Sequence, residues 1–200
     1  MNYEPFKRML DLAAAVLSLA LLSPVLLLVF VLVRLTMGSP VLFHQSRAGF
    51  GGRPFILHKF RTMTMDQDIH GHDLPDGARL TRTGAFLRAT SLDELPQLWN
   101  VLRGEMSLVG PRPLYVHYID RYSTRQRRRQ EVLPGITGWA QVNGRNALTW
   151  QDRLELDVWY VEHRSLLLDL RILMLTVVQV IKRDGISAEG QATMQEFQGR

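Results

Sequence analysis

The sequence predicts a helix-rich domain of mixed α and β structure carried on a membrane helix. Three observations lead to this prediction: a long uncharged apolar segment near the N-terminus, an alternating segment typical of a β-hairpin, and later segments with helical spacing of apolar residues. The apolar segment, Leu12–Val33, has twenty-two residues without a charge. As a helix it reaches about 33 Å, enough for a hydrocarbon core of about 30 Å.

Two membrane arrangements are compatible with the residues of this segment. Pro24 removes one helical hydrogen bond at its centre, and the hydroxyl of Ser23 can supply a partner for the freed carbonyl. The segment is either a kinked helix that crosses the membrane or a re-entrant helix that breaks at Ser23-Pro24 and returns to the same face. Cations flank both ends, Lys7 and Arg8 before it and Arg34 after it, and cytoplasmic leaflets attract such charge. The residues alone leave both arrangements open.

The elements after the membrane segment follow from apolar spacing and from the positions of Gly and Pro. The pattern predicts a hairpin over 41–60, a polar loop over 66–82, a short helix over 96–103 that ends at Gly104, a helix over 112–132, an amphipathic helix over 150–164, a core or interfacial helix over 166–181 and a polar tail from Gly185. These elements are enough for one compact domain.

Composition excludes several classes of protein. With 46% hydrophobic and 22% charged residues in a chain of 200, the sequence is neither intrinsically disordered nor a coiled coil. The absence of cysteine excludes disulfides, cysteine-based zinc sites and a thiol nucleophile. A net charge of +5 predicts an anionic partner, such as nucleic acid, anionic lipid or a phosphorylated substrate.

An arginine-rich segment offers one place for such a partner. It contains Arg121, Arg125, Arg127, Arg128 and Arg129. On a chain already at a membrane, each basic residue near an anionic leaflet contributes about 1 kcal/mol of attraction. Membrane lipids are therefore favoured over nucleic acid, for which no recognition motif is present. A competing hypothesis makes the chain a membrane-tethered basic module that binds anionic polymers.

Two adjacent carboxylates, Asp93 and Glu94, are the main candidates for chemistry. They precede Pro96, a residue best accepted in the first turn of a helix. Ser91 and Glu94 have the spacing of a capping box, so both acids could serve only to cap this helix. The functional alternative is a nucleophile with a partner acid, because a helix start also suits phosphate. The same two carboxylates are candidate Mg²⁺ ligands.

Several cations are candidates for binding a phosphorylated substrate or nucleotide. Arg112 lies in Gly-Pro-Arg-Pro and Arg145 in Asn-Gly-Arg-Asn, turns that can hold a guanidinium in place for a phosphate. Lys59, Arg61 and Arg88 are the others. Together they predict a cationic site around the carboxylates.

Four sequence blocks resemble those of the bacterial sugar transferases, the monotopic polyprenol-phosphate phosphoglycosyl transferases. The blocks are KFRTM at 59–63, SLDELPQLWN at 91–100, GEMSLVGPRP at 104–113 and PGITGWAQVNGRN at 134–146. The resemblance extends over nearly the whole chain. It implies a re-entrant helix within 1–37 that breaks at Ser23-Pro24, an α/β catalytic domain on amphipathic interfacial helices over 38–185, and a tail over 186–200. It also implies the cytoplasmic face of the bacterial inner membrane.

The resemblance further implies a reaction. A phospho-sugar passes from a UDP-sugar to undecaprenyl phosphate with release of UMP, and Asp93 is the nucleophile that forms a phospho-sugar ester. Mg²⁺ is required beside Asp93, while Glu94 either orients the metal or accepts a proton. The tail over 187–193 resembles that of enzymes that use UDP-N,N'-diacetylbacillosamine in protein N-glycosylation, which predicts this sugar.

Overall fold

The computed structural model describes residues 3–68, 71–72, 74–144, 148–182 and 196–199, with side chains in the last helix described to residue 180. The helices are α1 (Tyr3–Met37), α2 (Asp76–Arg79), α3 (Arg82–Ala89), α4 (Gln97–Leu102), α5 (Thr124–Arg127), α6 (Trp139–Val142), α7 (Trp150–His163) and α8 (Leu166–Lys182). The strands are β1 (Leu42–Ala48), β2 (Pro54–Phe60), β3 (Ser107–Val109) and β4 (Gly135–Thr137). Strands β1 and β2 pair antiparallel, and β3 pairs parallel with β4. The predicted helix-rich α/β class and the hairpin are confirmed.

Helix α1 continues through Ser23 and Pro24, so the predicted break is not an interruption of the helix. The Ser23 hydroxyl donates to the carbonyl of Ala20 at 2.8 Å. That carbonyl lies four residues before Pro24 and is the one the proline leaves without a donor. The predicted role of the serine hydroxyl is therefore confirmed. Within the described residues, α1 is the one helix long and apolar enough to cross a membrane.

The globular part of the protein contacts α1 at both ends. Near its start, the Lys7 ammonium lies 2.8 Å from the Asp169 carboxylate, and Arg8 donates to the carbonyl of Val101 at 2.8 Å. At its end, the Arg61 guanidinium donates to the carbonyls of Met37 and Gly38. Both ends of the helix are thus attached to the same body.

The middle of α1 forms part of two hydrophobic clusters. Ala15 is buried with Phe55 and Leu98, while Val29 and Val33 are buried in the cluster that contains Phe60 and Leu87. The opposite face of the helix is exposed, and it includes Leu17, Leu21, Leu27 and Leu28. One side of α1 therefore completes the core of the domain, and the other side is available to lipid.

The helix predicted over 112–132 is wrong. The chain forms 3₁₀ turns at Val116–Arg121 and Arg128–Gln130, with α5 between them. Ser123 starts α5 with a capping box that includes Gln126, so the chain turns where the prediction continued the helix. The arginines of this segment are paired with acids: Arg121 with Glu196, Arg125 with Glu155 and Glu162, Arg128 with Glu131 and Glu162, and Arg129 with Asp157.

This pairing weakens the binding-module hypothesis, since most of the segment is neutralised by acids of α7 and by Glu196. The predicted helices over 150–164 and 166–181 are confirmed as α7 and α8. Helix α8 buries Asp169 and Ile172, and its exposed face is apolar, as an interfacial helix requires.

The described end of the tail is also ordered, because Phe197 is buried against Tyr118 and Trp150.

Asn100 joins α4 to the hairpin. Its amide nitrogen donates to the carbonyl of Ile56 and to Glu105, each at 2.7 Å, and its carbonyl oxygen accepts from the backbone of His58 at 3.2 Å. The side chain is fully buried. Removal of this amide leaves buried backbone groups without partners, which is unfavourable.

We expect Asn100→Ala to lower the free energy of unfolding by about 2 kcal/mol because of these unpaired groups. The measurement is denaturant unfolding in detergent, followed by tryptophan fluorescence. The control is Asn143→Ala, since Asn143 is exposed and, among the described residues, donates to a carbonyl of its own turn. Equal effects of the two substitutions would contradict the prediction.

Candidate active site

A left-handed turn presents the two carboxylates. Ser91 has a φ of 55°, and it separates α3 from a 3₁₀ turn at Leu92–Glu94 that leads into α4. Positive φ in a non-glycine residue is unfavourable and is often found at functional sites. In the described structure the Ser91 side chain makes no capping hydrogen bond. The capping interpretation of Ser91 and Glu94 is therefore wrong.

Glu94 binds two cations that come from distant parts of the chain. One of its oxygens lies 2.5 Å from the Lys59 ammonium, on β2, and 2.8 Å from the Arg112 guanidinium, in the loop after β3. Burial alone would raise the pKa of Glu94, but Arg112 and Lys59 outweigh it and hold the pKa well below its usual range. Glu94 is therefore ionised at neutral pH and fixes the positions of both cations.

Asp93 lies beside this group in a different electrostatic environment. It is 7% exposed, and its Oδ1 atom has no hydrogen-bond partner among the described residues. Burial, and then the charge of Glu94, raise the pKa of Asp93 from 3.8 to about 6, against the opposing charges of Lys59, Arg88 and Arg112. The pKa of Asp93 is thus raised while the pKa of the neighbouring Glu94 is lowered. Opposite shifts of this kind are typical of sites where two acids have different roles.

Four of the five predicted cations line the cavity that contains the carboxylates. Lys59 and Arg112 bind Glu94, and the Nε of Arg88 donates to Thr62 at 3.0 Å. Arg61 also lines the cavity, while its guanidinium donates to carbonyls at the end of α1 and so holds that helix. Arg145 lies outside the described residues.

A buried ion pair holds the backbone of Arg112 in place. The Arg129 guanidinium lies 2.8 Å from the Asp157 carboxylate and donates to the backbone carbonyl of Arg112 at 2.5 Å. Both members of the pair are almost fully buried. The sequence prediction placed Arg129 at the lipid surface; the structure places it where it can fix the backbone of Arg112.

The carboxylates line a cavity of about 1690 Å³ whose lining contains both polar and apolar side chains. The polar ones include Arg47, Tyr115, Trp150, Arg153 and Asp157, and the apolar ones include Leu22 of α1 together with Leu173 and Val177 of α8. The spacing of apolar residues predicted an amphipathic helix over 150–164 but assigned none of these polar side chains to the site. The signal was present in α7, where the charged residues at positions 153 and 157 lie four apart and therefore share one face of the helix.

Asp93 suits a hard cation. No cluster of three or more metal-binding side chains occurs in the part of the chain that the structure describes. Mg²⁺, however, is commonly held by one or two carboxylates together with substrate phosphates. The buried Oδ1 of Asp93, without a protein partner in the described structure, fits that pattern. Glu94 fits it less well, because one of its oxygens is already bound by two cations.

Comparison with known proteins gives a consistent result. The family model described as bacterial sugar transferase matches residues 2–183. The chain is 53% identical to the uncharacterized sugar transferase EpsL of Bacillus subtilis, over 96% of each protein. It is 44% identical to a UDP-glucose:undecaprenyl-phosphate glucose-1-phosphate transferase of Caulobacter vibrioides, over 89% of this chain and 70% of that protein. It is 41% identical to a UDP-N-acetylgalactosamine-undecaprenyl-phosphate N-acetylgalactosaminephosphotransferase of Aeromonas hydrophila, over 90% of this chain and 44% of that protein.

The raised pKa of Asp93 predicts a stability effect. Because the unfolded carboxyl ionises near pH 4 and the folded one near pH 6, stability falls as the pH rises through this window and stays low above it. We expect Asp93→Asn, which cannot ionise, to be more stable than the wild type at pH 8 by up to about 3 kcal/mol. The difference should vanish near pH 4.

The measurement is denaturant unfolding with a chelator present, so that no metal compensates the carboxylate. Asp120→Asn, at an exposed position, is the control and should change little. If Asp93 served only as a helix cap, the Asn variant would instead be less stable than the wild type by about 1 kcal/mol.

Proposed function

The chain belongs to the bacterial sugar transferase family and is a transferase, and from that premise we propose that it transfers a sugar 1-phosphate from a UDP-sugar to undecaprenyl phosphate. Asp93 is the nucleophile, and the reaction proceeds through a covalent intermediate. The observation that carries this proposal is the buried Asp93 carboxylate, which lies beside three cations in a cavity that extends to two apolar helices.

The first half of the reaction forms a bond between Asp93 and phosphorus. A carboxylate oxygen attacks the phosphorus attached to the sugar, the bond from that phosphorus to the bridging oxygen breaks, and UMP leaves with the electron pair. Lys59, Arg88 and Arg112 lower the charge repulsion between the carboxylate and the diphosphate. The sugar 1-phosphate is then held on Asp93 as an acyl phosphate.

The second half transfers the sugar phosphate to the lipid. A phosphate oxygen of undecaprenyl phosphate attacks the same phosphorus, and the bond to Asp93 breaks. The products are a diphosphate-linked lipid and the regenerated carboxylate. Apolar side chains of α1 and α8, among them Leu22, Leu173 and Val177, line the cavity and suit the isoprenoid of this acceptor.

Asp93 would hold Mg²⁺, which neutralises diphosphate oxygens when it is bound. Glu94 has a separate role in this proposal. With its pKa held low, it does not accept a proton at neutral pH, and it instead orients Lys59 and Arg112 toward the substrate. The lowered pKa therefore favours a positioning role for Glu94 over that of a proton acceptor, and in this proposal Glu94 positions the two cations and not the metal.

We expect the wild type to release UMP in the presence of Mg²⁺, undecaprenyl phosphate and its correct UDP-sugar, and Asp93→Asn to release none. The donors to test include UDP-N,N'-diacetylbacillosamine, UDP-N-acetylglucosamine, UDP-N-acetylgalactosamine and UDP-glucose. The bacillosamine donor is our specific proposal, although residues 187–193, which led to it, lie outside the described residues. The relatives above carry names with different sugars, so the panel is needed to decide.

Mass spectrometry of the wild type with donor alone should find the phospho-sugar on Asp93. Asp120→Asn is the control and should retain full turnover. UMP release by Asp93→Asn at the wild-type rate would contradict the proposed nucleophile.

The attachment of both ends of α1 to one domain supports a re-entrant arrangement at the cytoplasmic face. A helix that crossed the bilayer would carry one of its ends away from the domain. We propose that α1 enters one leaflet and returns, with Ser23 and Pro24 at its deepest point. The exposed leucines in the middle of α1 then contact lipid.

The absence of cysteine makes this topology directly testable. We expect single variants Glu4→Cys and Ser39→Cys, at opposite ends of α1, to react with a membrane-impermeant maleimide from the cytoplasmic side only. Arg53→Cys, in the hairpin loop, is the control that reports the side of the domain. Labelling of the two α1 ends from opposite sides would show that the helix spans the membrane.

A further inference from the structure

A second group of cations lines the same cavity as the two carboxylates. Arg47, at the end of β1, and Arg153, in α7, line the cavity together with Arg112. All three side chains are half-buried. Neither Arg47 nor Arg153 belongs to the residues that form the carboxylate site.

These arginines repel one another. Burial lowers the pKa of Arg153, the charge of Arg112 lowers it further, and the charge of Asp157 opposes the shift. Burial also lowers the pKa of Arg47; Tyr115 opposes this shift and Arg112 adds to it. Like charges held close together in a partly desolvated cavity become favourable when an anion lies between them. The arrangement therefore suits a ligand with more than one negative charge.

Aromatic rings accompany the arginines. The Arg47 guanidinium lies 3.8 Å from the centre of the Tyr115 ring, and the Arg153 guanidinium lies 5.3 Å from the centre of the Trp150 ring. Tyr118 packs edge-on against Trp150, with ring centres 5.7 Å apart. The Tyr115 ring also stacks on that of His117, with ring centres 5.2 Å apart. Guanidinium planes held against rings in this way provide stacking surfaces for a nucleobase beside a site for phosphate.

Building on the proposed function, we propose that Arg47, Arg112 and Arg153 bind the nucleotide phosphate of the UDP-sugar, and that Tyr115 and Trp150 form the wall for its uridine. Arg112 connects the two parts of the site, since it contacts Glu94 and acts electrostatically on both other arginines. The diphosphate then extends from Asp93 toward α7. The phosphate of undecaprenyl phosphate is the other anion that the same arginines would suit. The experiment must therefore distinguish binding of the nucleotide from binding of the lipid acceptor.

The test compares Arg153→Gln and Arg47→Gln with the wild type in detergent. Three quantities are measured: the dissociation constant of UMP by calorimetry, the KM for the UDP-sugar and the KM for undecaprenyl phosphate. We expect the first two to rise about tenfold or more in each variant, as for loss of a charge-assisted contact, and the third to stay unchanged. Arg125→Gln, which removes an exposed arginine paired on the outer side of α7, should change none of them.

Thermal unfolding separates binding from folding. We expect both variants to unfold cooperatively above the assay temperature, so that a change in UMP affinity reports binding and not loss of the fold. Unchanged UMP affinity in both variants overturns the inference and leaves the proposed function standing if the wild type releases UMP. A rise confined to the KM for undecaprenyl phosphate also overturns it, and assigns the arginines to the acceptor. Arginine-dependent UMP binding without turnover on any donor supports the subsite and contradicts the proposed function.

Discussion

The ion pairs of Glu94 with Lys59 and Arg112 are the interaction on which the rest of the site depends. They join three segments that are distant in sequence: the hairpin, the turn before α4 and the loop after β3. Because Glu94 holds two cations, Asp93 is left with an oxygen that no described protein group satisfies. The surroundings of Glu94 stabilise its charged form, whereas those of Asp93 destabilise its charged form. A nucleophile needs this inequality, since a fully solvated or fully paired carboxylate would react poorly.

Holding such a site requires rigid support, and the sheets alone are too small to give it. Two-stranded sheets are marginal by themselves. Helix α1 compensates, because Ala15, Val29 and Val33 complete clusters that contain the hairpin and the helices on either side of the Asp93 turn. The membrane helix is therefore a part of the catalytic fold as well as its anchor. Depth in the membrane and geometry of the site are set by the same element.

Local patterns were enough to predict the hairpin, the short helix after the Asp-Glu pair, α7, α8 and the serine hydroxyl at the proline. The spacing of Ser91 and Glu94 allowed two interpretations, and only the left-handed backbone and the partners of Glu94 separate them. The wrong or missing predictions concern residues whose positions are determined by tertiary contacts. Arg129 has the sequence context of a surface arginine but is buried by its pair with Asp157. Arg47 and Arg153 escaped notice because their relation to Arg112 exists only in the folded chain.

The lining of the cavity suits the proposed covalent chemistry. Polar side chains that suit a nucleotide and apolar side chains that suit an isoprenoid both line it, together with Asp93. A direct transfer would require two anionic phosphates to lie at this point together, and their repulsion would oppose the approach. With the sugar phosphate held on Asp93, UMP can leave before the lipid phosphate arrives. The same cations then serve both substrates in turn, so the second substrate does not require a second cationic site.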